Sequence, residues 1–63
     1  MELTFINELG RFECEGTQFT SGDVVEVYLN DTWKVTRIEY NDNHGGYYSV
    51  DGYELLGYPI RLV

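Results

Sequence analysis

The stretch Ser21–Tyr40, SGDVVEVYLNDTWKVTRIEY, restricts the fold more than any other part of the chain. It holds two runs rich in β-branched and aromatic residues, joined only by Asn30-Asp31. A connection that short joins antiparallel strands through a type I′ turn, whose central residues need positive φ, and asparagine and aspartate tolerate that better than most side chains. In Val24–Leu29, Val25, Val27 and Leu29 share one parity and are expected to form the core face. Val24, Glu26 and Tyr28 take the other face.

The return run, Thr32–Tyr40, changes phase: Trp33 and Val35 share one parity, Ile38 and Tyr40 the other. A regular strand cannot bury all four. Either a bulge near Thr36 and Arg37 shifts the pairing, or Trp33 lies outside and Ile38 inside. Arg37 is expected to be exposed or paired, because a buried guanidinium without a partner is too costly.

Shorter strands flank this hairpin. Glu2–Ile6 leads into the turn cluster Asn7–Gly10, and Arg11–Glu15 alternates so that Phe12 and Cys14 point inward together. Glu15-Gly16 turns the chain into Thr17–Thr20, anchored by Phe19, and Ser21-Gly22-Asp23 is a second turn signal. Asn41–Gly46 reads as a loop and Tyr47–Val50 as a strand. Asp51-Gly52 carries a strong hairpin signal, and a single 3₁₀ turn is expected over Tyr53–Gly57. Pro59 lacks a backbone donor, so the last strand starts after it or lies on an edge. Five to six short, mostly antiparallel strands in one domain, residues 1–63, follow from this pattern.

With 63 residues the core is necessarily small, and the chain stands near the lower limit for folding without disulfides or metal. Eleven acidic residues against four basic ones give a net charge of −7, which opposes direct binding to nucleic acid or to an anionic membrane. A protein partner with a basic or neutral surface is the better match. Cys14 is the lone cysteine, which excludes an intrachain disulfide, and no signal-peptide core or long apolar span is visible. A cytoplasmic setting is expected.

Gly22-Asp23, a hydrophobic strand, a short turn, Trp33 and Ile38, followed by Tyr47-Tyr48-Ser49-Val50-Asp51-Gly52, resemble the barrel-entry pattern of Tudor and other SH3-like domains. The resemblance implies an all-β, SH3-like small barrel. Gly10-Arg11-Phe12, Ser21-Gly22-Asp23, Trp33 with Arg37-Ile38-Glu39-Tyr40, Tyr47-Tyr48, Leu56-Gly57 and Arg61 are similar to a small uncharacterised domain family of Gram-positive bacteria and their mobile elements. That likeness implies a bacterial or phage cytoplasmic protein and carries no activity with it.

Two constellations stand out. Tyr28, Trp33, Tyr40, Tyr47 and Tyr53 are candidate aromatic contacts for a protein partner. A methyl-lysine or methyl-arginine cage built from them, with Glu26 or Glu39 as the anion, is opposed by Lys34 directly after the tryptophan. Core packing accounts for many such aromatics, but six tyrosines are too many for so small a core to hide. Separately, Glu13, Glu15, Glu26, Glu39, Asp42 and Asp51 could imitate phosphates and occupy a basic site on a nucleic-acid-binding protein. A solubilising surface is the commoner reason for dispersed acids.

Other chemistry finds little footing. Cys14 and His44 cannot complete a zinc site, and Asn41–Gly46 lacks the carboxylate spacing of a calcium loop. His44 is expected in solvent. No nucleophile motif surrounds Ser21 or Ser49, and Cys14 lies on an apolar face rather than beside activating cations. The expectation is a non-enzymatic interaction module without metal or cofactor, the alternative being a phage or mobile-element inhibitor whose acidic face mimics nucleic acid.

Overall fold

The computed structural model describes residues 1–63. The chain is all-β, with no α-helix, and its strands are β1 (Phe5–Ile6), β2 (Phe12–Cys14), β3 (Thr17–Gln18), β4 (Val24–Leu29), β5 (Thr32–Asn41), β6 (Gly46–Ser49) and β7 (Ile60–Leu62). They form two antiparallel sheets, ordered β1-β2-β3 and β6-β5-β4-β7. Seven strands are present against the five to six expected, and β1 and β3, shorter than the runs Glu2–Ile6 and Thr17–Thr20, are two residues each.

The β4–β5 hairpin is regular. Pairing runs without interruption from Val24↔Arg37 to Leu29↔Thr32, and continues beyond it in Ile38↔Ser49 to Asn41↔Gly46. No bulge shifts the phase, so Ile38 lies inside and Trp33 outside. Asn30 and Asp31 have φ of 51° and 63°, the backbone that a type I′ turn demands. The same geometry closes β2–β3, where Glu15 at φ 51° and Gly16 at φ 79° connect Cys14↔Thr17. Glu15 thus belongs to a turn and does not continue the strand beside Glu13.

The two inner faces meet in a core of Phe12, Cys14, Phe19, Val25, Val27, Ile38, Leu55 and Ile60, against which Leu29, Tyr47 and Tyr53 pack. Val25, Val27 and Ile38 are wholly shielded from solvent, and burying a side chain of this type stabilises by about 1.5–3 kcal/mol. Thr36 and Ser49 lie on the same inner face. Their hydroxyls bond to each other at 2.7 Å, and Ser49 Oγ also accepts the Tyr53 backbone N–H at 3.3 Å. Two buried polar groups are satisfied in that way, and the segment after β6 is tied down.

The ends depart from the sequence reading. In the first strand Thr4 is buried, whereas Leu3, Phe5 and Ile6 are exposed. Thr4 is held by the far end of the chain: its N–H donates to the Tyr58 carbonyl, and its own carbonyl accepts from Gly57 N–H. Asp51-Gly52 does turn the chain, with Gly52 N–H donating to the Ser49 carbonyl at 3.0 Å, but no strand returns along β6. The expected 3₁₀ turn over Tyr53–Gly57 is absent; a 3₁₀ turn instead spans Asp42–His44, where Asn41 Oδ1 caps the N–H of Asn43. β7 begins directly after Pro59 and pairs only with β4, on the sheet edge.

Candidate interaction surface

Strand register places Val24, Glu26 and Tyr28 of β4 beside Arg37, Val35 and Trp33 of β5, all on the outer face of the four-stranded sheet. Arg61 of β7 lies opposite Glu26, and Tyr48 of β6 opposite Glu39. No other element covers this face, and Val24 and Val35 are left 44% and 55% exposed.

Tyr28 and Trp33 face each other directly across the hairpin, with ring centroids 5.1 Å apart and planes tilted by 53°. The Arg61 guanidinium rests 3.7 Å from the centre of the Trp33 ring. Its Nε also donates to Glu26 Oε1 at 3.0 Å. A cation therefore already occupies the indole face, which explains why these aromatics form no open cage for a methylated cation. What remains is a half-buried aromatic pair with Glu26 and Val35 in the next row of the same face.

The other candidate aromatics do not join them. Tyr40 and Tyr47 form a separate edge-to-face pair at 5.0 Å on the inner side of β5 and β6. The Tyr47 hydroxyl accepts from Arg11 Nε at 3.1 Å. That bond, helped by Thr20, holds the Tyr47 phenol below the usual tyrosine range, whereas the Tyr40 hydroxyl donates to Asp42 at 2.8 Å and its pKa is raised by that carboxylate. Tyr53 is half-buried against the core. The five aromatics thus divide into an outer pair, an inner pair and one packing residue.

The six acidic candidates are divided as well. Glu26 is paired with Arg61, and Glu39 with Arg37 at 2.7 Å; Asp42 is engaged by Tyr40. Glu13 belongs to the three-stranded sheet, Glu15 to the β2–β3 turn and Asp51 to the turn after β6. They do not form one continuous acidic face. His44 is exposed, as expected, but its ring stacks on Tyr48 at 4.0 Å with only 5° between planes. No group of three or more His, Cys, Asp or Glu side chains is placed to hold a metal ion.

Arg61 is the residue that sequence reasoning missed as part of the surface. In the sequence it stands as one of four basic residues and as part of the family resemblance, and nothing local in residues 59–63 signals that β7 pairs with β4 rather than with its sequence neighbours.

These features define a small all-β domain with one uncovered aromatic sheet face. The chain belongs to the family described as domain of unknown function DUF5348, whose family model matches residues 1–62. No curated protein and no solved structure matches the chain significantly. No helix is long and apolar enough to cross a membrane.

Proposed function

We propose that this domain is a non-enzymatic protein-interaction module that docks a partner on the outer face of its four-stranded sheet. The carrying observation is the Tyr28–Trp33 pair, which meets across the hairpin on a sheet face that no other strand or loop packs against, with Arg61 over one side of the indole. Rigid aromatics that order few torsions are efficient binding anchors, and flanking side chains that exclude water complete such a site. Because Arg61 and Glu26 neutralise each other beside Trp33, the centre of this surface matches a neutral or mildly basic patch on the partner. A bacterial or phage cytoplasmic setting and an SH3-like barrel topology complete the proposal; the first rests on the family resemblance carried by residues from Gly10 to Arg61, the second on that of the hairpin and Tyr47–Gly52.

The nucleic-acid mimic is the weaker reading. Phosphate imitation needs free carboxylates on one surface, and Glu26 and Glu39 already have arginine partners.

Affinity capture from a Gram-positive bacterial lysate separates the two. Wild type is compared with Trp33→Ala and Tyr28→Ala, each first shown by circular dichroism to be folded. A partner held at high salt and lost in both variants supports aromatic docking. A nucleic-acid-binding partner that salt releases and both variants retain overturns it in favour of mimicry.

A further inference from the structure

The larger of the two surface concavities lies on the three-stranded sheet rather than on the Trp33 face. It has a volume of about 480 Å³, and Phe5, Ile6 and Leu9 line it together with Glu8 and Glu13. Phe5 and Leu9 are 49% and 69% exposed, so the groove presents large apolar side chains to water in one place.

Its floor is fixed by Asn7, which uses both ends of its amide. Asn7 Nδ2 donates to Glu13 Oε1 at 3.0 Å and to Gln18 Oε1 at 2.6 Å, while Oδ1 accepts the backbone N–H groups of Leu9 at 2.9 Å and Arg11 at 3.1 Å. A groove held in this way loses little freedom when something binds it.

Charge indicates the occupant. Over residues 1–20 Glu2, Glu8, Glu13 and Glu15 face only one cation, Arg11, and its guanidinium is turned to the Tyr47 hydroxyl. On the other sheet Glu26 and Glu39 each have an arginine at 3.0 and 2.7 Å. Glu8 and Glu13 have none, so two unneutralised carboxylates coincide with apolar anchors in this groove, against one, Glu54, in the smaller concavity.

We infer that the groove docks a short segment of a partner protein in which lysine or arginine flanks large apolar side chains. The apolar side chains seat among Phe5, Ile6 and Leu9, and the cations meet Glu8 and the second oxygen of Glu13. This site is independent of the Trp33 face and stands or falls separately.

The test uses a fluorescein-labelled hexapeptide alternating lysine with leucine and phenylalanine, and a counterpart with glutamate for each lysine. Backbone amide resonances of the ¹⁵N-labelled domain are followed during titration. The lysine peptide is expected to shift resonances between Phe5 and Glu13 and at Gln18. Leu9→Ser and Glu8→Lys, both at exposed turn positions, each weaken binding by about fivefold or more, the factor that roughly 1 kcal/mol of lost contact produces. Trp33→Ala leaves the affinity unchanged. Shifts spread over the whole surface, equal binding of the glutamate peptide, or indifference to both groove variants overturns the inference. So do concentration-dependent shifts of the same resonances without peptide, which would assign the groove to a second copy of the chain.

Discussion

The Arg61 guanidinium carbon sits over Trp33, 3.7 Å from its ring centre, while its Nε donates to Glu26. One side chain from the last strand thus fixes the outer surface of the hairpin's two strands. An exposed cation–π contact of this kind is worth about 0.5–1 kcal/mol, and the exposed ion pair adds little. Arg61→Ala is expected to lower the unfolding free energy by about that amount, read as a lower urea midpoint at unchanged m. Trp33 is the lone tryptophan, so its emission should shift to longer wavelength as the ring gains water. Arg61→Lys should keep the ion pair yet recover only part of the emission shift, because an ammonium cannot stack as a plane.

Thr36 and Ser49 make the buried polar link between β5 and β6. Thr36→Val keeps the shape but removes one hydroxyl and leaves Ser49 Oγ with the Tyr53 N–H as its remaining partner, at a cost of about 1 kcal/mol. Ser49→Ala should cost at least as much, because the Tyr53 amide loses its acceptor too. Thr36→Val/Ser49→Ala is expected to cost less than the sum of the single changes when the three variants are unfolded in urea.

Two hairpins close through left-handed residues that carry a Cβ. Asp31→Gly, which leaves the favoured Asn-Gly pair at φ 51° and 63°, should stabilise the domain by up to about 1 kcal/mol. Asp31→Asn removes the same charge but keeps the Cβ, so a gain confined to glycine identifies backbone strain rather than relief of the −7 net charge.

Tyrosine ionisation should occur in a definite order. Arg11 favours the Tyr47 phenolate and Asp42 opposes that of Tyr40, so residue-resolved titration at alkaline pH should show Tyr47 ionising before Tyr40. For Tyr47 the folded pKa is depressed, so its contribution to stability appears as pH rises through that value. For Tyr40 the folded pKa is raised, so its contribution is present below the unfolded value and is lost as pH rises through the folded one. Arg11→Met should move the Tyr47 phenol back toward the ordinary range.

Cys14 is 2% exposed, with its Sγ donating to the Glu2 carbonyl at 3.5 Å. Labelling by a thiol reagent should be slow in the native state and rise with denaturant in step with unfolding. Fast native labelling would show that β2 opens locally.

Much of this architecture is legible in the sequence where a local rule is strong. The alternation of Val25 and Val27 against Val24 and Glu26 allows one burial pattern, Asn30-Asp31 allows few turns, Phe12 and Cys14 are inward on period alone, and Phe19 is the lone large apolar residue of its run. Local rules fail where two elements distant in sequence must meet. Leu3, Phe5 and Ile6 are hydrophobic enough for a core, yet Thr4 is the buried residue, because its backbone is claimed by Gly57 and Tyr58. Asp51-Gly52 has the chemistry of a hairpin turn, but the chain beyond it supplies Leu55 to the core rather than a strand to β6.

Trp33 shows the division most clearly. The sequence by itself determined that Trp33 and Ile38 could not both be buried in a regular strand, since side chains five residues apart point to opposite faces. Only the tertiary structure decided between them: Ile38 is enclosed by the second sheet, while β7 crosses from the far end of the chain and lays Arg61 over the indole. The physical reason is that parity is a local property of the backbone, whereas the covering of a face depends on contacts made across the whole chain.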